Sequence, residues 1–326
     1  MRATTNAPKM LTAARPARAK RFGARAARPF LTLAACAALL AAGGLLPAGA
    51  AGAAHARAGA RRSPSPGLFP QPLNLLPAYS LRNYPVGLSP RSIASGLFNG
   101  NSNGADLATA NISGGNVSVL LNNGGGTFGG ARNLAAGQYP EQLVVADFAG
   151  FGRRDIAVTN SGSNTVSVHL CRGDGTFQPA RHYAVGNVPR GITAGDFNRD
   201  GRLDLVVTNR GAAQGLAVLL GNGDGTFQPA RLTYEYISSD FVVAAHLNGD
   251  GKLDLVRSDV GGVIAQLGNG DGTFAAPAYF GANYQVAGIA VGDVNNDGRQ
   301  DAVTANITSG YGNVLLGNGD GTFRPR

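Results

Sequence analysis

The sequence has no tryptophan, and only two cysteines and four histidines among 326 residues. Each scarcity excludes something. Cys36 lies in the N-terminal apolar stretch and Cys171 far beyond it, so the body of the chain has no internal disulfide. A domain outside the cell without disulfides needs a large core, bound metal, or both. His55, His169, His182 and His246 fall in no nucleophile motif, and catalysis is not expected. The first 62 residues contain no acid at all, against eleven lysines and arginines. The remaining 17 bases are balanced by all 19 acids, a net of −2, so the formal charge of +9 belongs to the leader. The rest of the chain offers no broad basic surface, and nucleic acid is not an expected partner.

The basic stretch over 1–29, the apolar run from Phe30 to Leu46 and the small residues after it have the three parts of a secretory signal. Ala48-Gly49-Ala50 and Ala54-His55-Ala56 are alternative cleavage sites. A retained anchor is opposed by Gly43, Gly44 and Pro47 and by a run at the short limit for a membrane span. Residues 1–56 are therefore read as a removable leader, with no membrane span after removal and a secreted or cell-surface location. Residues 57–78 carry Pro64, Pro66, Pro70, Pro72 and Pro77 and read as a linker.

What is abundant is glycine, 49 residues, and it recurs with a period. Gly-Thr-Phe occurs five times, with its threonine at 127, 176, 226, 273 and 322. About thirty residues before each copy lies an acidic loop: Asp147 to Asp155, Asp196 to Asp204, His246 to Asp254 and Asp293 to Asp301, with a worn first copy over Leu97 to Asp106. Two linked signatures at one spacing define repeats at about 88–137, 138–187, 188–237, 238–284 and 285–326. Within the third, Leu203 to Thr208 and Gly215 to Leu220 are β-branched or apolar runs, and Gly221 to Gly225 is a tight turn. Four short strands per repeat, with no 3.6-residue apolar period, predict an all-β fold: a β-propeller of about five four-stranded blades. Arg82 to Gly87 resembles Arg181 to Gly186, the fourth strand of the second repeat, while the fifth repeat lacks that strand. Tyr79 to Gly87 is therefore expected to pair with the last blade and close the ring. The alternative is an open array completed by another chain.

These repeats over 79–326 resemble the FG-GAP, or VCBS, repeats of integrin α-subunit propellers and bacterial surface proteins. The resemblance implies a propeller with calcium loops. The expected role is a protein-binding or adhesion module; the alternatives are a carbohydrate-binding, lectin-like propeller and a non-catalytic part of a cell-envelope assembly.

The third and fifth loops read Asp-x-Asn-x-Asp-Gly-x-x-Asp. Calcium takes six to eight oxygens, and alternate side chains of a tight loop can converge on one ion. Asp196, Asn198, Asp200 and Asp204, with the Arg202 carbonyl, form one candidate set; Asp293, Asn295, Asp297 and Asp301, with the Arg299 carbonyl, form another. An EF-hand would need glutamate at position twelve, where Val207 and Thr304 stand. The fourth loop keeps Asn248, Asp250, Asp254 and the Lys252 carbonyl but begins with His246. The first two loops have lost ligands and are expected empty. Arg172-Gly173-Asp174 aligns with the turn Asn222-Gly223-Asp224 and reads as a turn variant. Glu141 and Glu235 read as single acids without partners. The expected partner is a protein or a glycan on a cell surface or matrix; against the glycan stand the missing tryptophan and tyrosines at no fixed repeat position.

Overall fold

The computed structural model describes residues 81–211, 215–235, 237–281, 286–307 and 310–324; the expected leader and linker lie outside them. The described residues form strands and no helix, so none has a helix long and apolar enough to cross a membrane. The strands make four antiparallel four-stranded sheets and a fifth of three strands, each built from one repeat, and a short two-stranded hairpin, Asn122–Gly124 with Thr127–Phe128, in the first repeat. Blade 1 comprises Pro90–Gly96, Asp106–Asn111, Asn116–Leu120 and Arg132–Ala135. Blade 2 comprises Pro140–Ala146, Asp155–Asn160, Thr165–His169 and Arg181–Ala184. Blade 3 comprises Pro189–Gly195, Asp204–Asn209, Leu216–Leu219 and Arg231–Leu232. Blade 4 comprises Val242–Ala245, Asp254–Asp259, Gly262–Gln266 and Ala278–Gly281. Blade 5 comprises Val286–Gly292, Asp301–Asn306 and Gly312–Leu315.

The second strands explain the stacking. Asp155–Asn160 and Asp204–Asn209 are buried along their whole length. Side chains of a strand alternate between faces, so a strand buried throughout must have both faces covered. One face of blade 3, carrying Leu205, Val207 and Leu219, packs on Ala157, Val166 and Val168 of blade 2. Its other face, Val206, Leu216 and Val218, packs on Val242 and Leu255 of blade 4. Equivalent contacts join blades 1 and 2 and blades 4 and 5. The architecture is propeller-like, with the apolar core lying between blades.

The two linked signatures hold each blade to the next. Phe98, Phe148 and Phe197, second in their loops, meet Phe177, Phe227 and Phe274 of the following Gly-Thr-Phe edge-to-face, with centroids 5.4–5.7 Å apart. Such a pair adds about 1 kcal/mol beyond the area it buries. The backbone carbonyls of Phe98, Phe148, Phe197 and Leu247 accept hydrogen bonds from Gly175, Gly225, Gly272 and Gly321. Glycine is required there twice over. Gly225 has φ 80°, and a methyl group on it would stand 2.5 Å from Leu170 of the preceding blade.

The expected closing strand is not found among the described residues. Leu81–Gly87 forms no strand, and the sheet of blade 5 has three strands among the described residues. The segment lies instead on blade 1. Gly87 donates to Ser118, and the Tyr84 ring meets Phe128 at 5.4 Å while its hydroxyl accepts from the Phe128 amide. Tyr183 of blade 2 makes the same pair of contacts with Phe227 of blade 3. The sequence likeness therefore reports a shared contact with the following blade. Among the described residues no strand of 81–87 pairs with blade 5, and Tyr79 and Ser80 of the expected strand lie outside them.

Candidate functional site

The loops between the first and second strands gather at one end of the array. In the third loop, Asp196 accepts from the amides of Asp200 (3.0 Å) and Gly201 (2.8 Å). Asn198 accepts from the Asp200 amide and donates to its carboxylate, which also meets Arg202 at 3.0 Å. The fifth loop repeats this with Asp293 on the amides of Asn296, Asp297 and Gly298, and Asn295 on Asp297. The Gly298, Asn296 and Asp297 amides hold the Asp293 carboxyl below the usual range despite some burial cost. The donor set of both loops is all oxygen and suits a hard cation. The carboxylates are turned onto backbone amides, and among the described residues no three His, Cys, Asp or Glu side chains are grouped to hold a metal.

The second loop shows that this geometry needs no full ligand set. Asp147 accepts from Phe151 (3.1 Å) and Gly152 (2.6 Å) although Ala149 and Phe151 replace the intervening ligands. In the fourth loop the Lys252 carbonyl, a candidate ligand, is taken at 2.7 Å by His246 Nδ1, and Lys252 Nζ lies 3.3 Å from Asp250.

The last aspartate of each loop has a role that the sequence did not disclose. Asp204 is fully buried and accepts from Phe197 N (3.0 Å) and Gly221 N (2.8 Å). Asp254 and Asp301 make the same pair of bonds. So do Asp106 and Asp155, in the loops expected to be empty. This aspartate ties the loop to the hairpin turn of its own blade whether or not a metal set accompanies it. Burial pushes the carboxyls of Asp155 and Asp204 up, against those backbone bonds, and the nearby acids of each loop add to the rise.

At the other end of the array, along the starts of the first strands, lies a chain of charges that sequence reading missed. The innermost strands begin at Pro90, Pro140 and Pro189, and each has a register shift just after its proline. The residues that follow are Arg91, Glu141 and Arg190. Glu141, expected to have no partner, is buried and bridges Arg190 and Arg91, the latter at 3.5 Å. Arg190 reaches Asp240 of the fourth repeat at 4.0 Å, and Arg210 reaches it at 3.7 Å. Glu235 also has partners: Arg257, fully buried, at 2.8 Å and Gln266 at 3.0 Å.

Arg172-Gly173-Asp174 is a turn. Asp174 accepts from the Thr176 amide at 2.9 Å and from its hydroxyl, as Asp224, Asp271 and Asp320 do with their threonines. The threonine hydroxyls, then their amides, hold these four carboxyls below the usual range. Gly100-Asn101-Ser102-Asn103-Gly104 has the spacing of a nucleophile elbow, but it lies in the first loop with no helix after it.

Two surfaces remain for recognition. On the rim of acidic loops, Leu97 and Phe151 stand where the third loop has Asp196 and Asp200, and they are 51% and 72% exposed. At the opposite end, Gln138, Ser163, Thr165 and His182 line a recess of about 430 Å³ between blades 1 and 2.

The FG-GAP-like repeat family matches three overlapping segments, residues 147–207, 196–257 and 246–304. No curated protein matches the chain. Among solved structures, a lectin from Agrocybe aegerita, described as recognising non-reducing terminal N-acetylglucosamine, is similar at 27% identity and TM-score 0.53. The match covers 72% of this chain and 64% of the lectin, so this chain spans less than two thirds of it. A putative 6-phosphogluconolactonase from Bacteroides uniformis shares the fold at 16% identity and TM-score 0.52, covering 69% of this chain and 67% of that one.

Proposed function

Because the chain is an FG-GAP-like repeat protein, we propose that it is a secreted, calcium-stabilised, propeller-like module that binds a protein on a cell surface or in a matrix. Calcium would be held in the third loop by Asp196, Asn198, Asp200, Asp204 and the Arg202 carbonyl. In the fifth it would be held by Asp293, Asn295, Asp297, Asp301 and the Arg299 carbonyl. Its part is structural, neutralising three carboxylates in one short loop. The fourth loop holds calcium only if the ion displaces His246 from Lys252.

The observation that carries the binding role is the pair Leu97 and Phe151. Where the calcium sequence is lost, adjacent loops present large apolar side chains to solvent. Aromatic side chains are enriched in protein interfaces, and Phe151, the more exposed of the two, is the expected anchor with Leu97 beside it. The test is binding of the purified chain to immobilised cell-surface and matrix proteins beside a glycan array. Saturable binding to a protein, weakened about tenfold or more by Phe151→Ala at unchanged melting temperature, supports the reading. Binding to glycans alone, or indifference to Phe151→Ala, overturns it.

A lectin is the second reading. The similarity to the A. aegerita lectin favours it, and Gln138, Ser163, Thr165 and His182 supply hydrogen-bonding groups at the recess between blades 1 and 2.

A further inference from the structure

The two terminal blades each keep one half of the contact that joins every other pair. Ile93 of the first strand in blade 1 is 40% exposed, while its counterparts Leu143, Ile192, Val242 and Ile289 are buried against a preceding blade. Val314 in blade 5 is 56% exposed, while Val119, Val168, Val218 and Ala265 at the same place are buried against a following blade.

The glycines agree. A methyl group on Gly96 would stand 2.7 Å from Val145 of the next blade, and one on Gly195 would stand 2.4 Å from Leu253. Gly292 is the same residue of blade 5, and a methyl group there would meet nothing within 4 Å. Gly126 of blade 1 corresponds to Gly175, Gly225, Gly272 and Gly321, each pressed by a leucine of the preceding blade, and it too faces open space. A groove of about 400 Å³ on this side of blade 1, between Tyr84 and Val86 of the preceding segment and Ile93, Leu107, Leu120 and Phe128, is where the inner strands of a preceding blade would sit.

We propose that these faces are the two halves of an interface between copies of this chain: the Val314 face of blade 5 receives the Ile93 face of blade 1 of a second copy, continuing the stack from chain to chain. The proposal is independent of the ligand taken by the loop rim. A contact between different faces is heterologous, so the assembly is head-to-tail and forms a ring or a filament according to its rotation.

The experiment is analytical ultracentrifugation of the full mature chain with Ile93→Glu and Val314→Glu, both at exposed positions and checked by circular dichroism. A carboxylate in an apolar contact without a partner opposes association. The wild-type chain is expected to self-associate, and each variant alone to be monomeric. An equimolar mixture is expected to stop at a one-to-one dimer, because each variant supplies the half that the other lacks. A monomeric wild-type chain, a variant that still associates, or a mixture that stays monomeric overturns the proposal.

Discussion

Replacing Asp155 by asparagine separates the scaffold role of the last loop aspartate from any metal role, because the second loop lacks the ligand set. Asp155 is buried and accepts from Cys171 N on one oxygen at 2.8 Å, and from Phe148 N (3.0 Å) and Ala149 N (3.3 Å) on the other. Asparagine keeps one acceptor and turns an NH₂ group toward a backbone N–H, leaving a buried donor unpaired. That costs about 1–3 kcal/mol. The larger figure for charged acceptors does not apply, because burial already pushes this carboxyl up and offsets part of the charge-assisted gain. A loss near 2 kcal/mol lowers the melting temperature of a domain this size by about 4–8 °C. Urea and thermal unfolding, each in chelator and in calcium, measure it, and the loss should be equal in both. A loss below about 0.5 kcal/mol, or one seen only with calcium, would refute the scaffold role.

His169 is buried where Leu120, Leu219 and Leu315 stand in blades 1, 3 and 5, and burial first, then His182, lowers its pKa from 6.5 to about 4. The folded state binds fewer protons than the unfolded one between those values, so stability falls as pH drops through that window, by about 3 kcal/mol; His169→Leu should flatten the profile in urea titrations from pH 7 to pH 4. Glu141→Ala leaves Arg190 without its main partner and should cost about 3 kcal/mol in urea unfolding, with little change at high salt. Asp196→Ala and Asp293→Ala should each shrink the gap in melting temperature between calcium and chelator, while Asp147→Ala leaves that gap unchanged.

The repeat, its strands and its turns were legible because they are local. Short apolar runs, an Asn-Gly or Asp-Gly turn and the two linked signatures recur from copy to copy. The reason the signatures are linked was not legible. Phe148 meets Phe227 seventy-nine residues on, and only the stacking of blades brings them together. The same holds for Arg91, Glu141, Arg190 and Asp240, which lie about fifty residues apart, so that Glu141 read as a single acid without a partner. Asp204 looked like one ligand among four; its equivalents Asp106 and Asp155, which make the same bonds in degenerate loops, show the scaffold role. The likeness of Arg82–Gly87 to a fourth strand was real, but a sequence motif records the neighbour it touches and not the sheet it joins.

The claim that most needs a number is that two of the five loops are metal sites. Isothermal titration of calcium into the chelator-stripped chain measures it directly. The account predicts two ions per chain, reduced to one by Asp196→Ala or Asp293→Ala and to none by both. No uptake, or five equivalent sites, would contradict it.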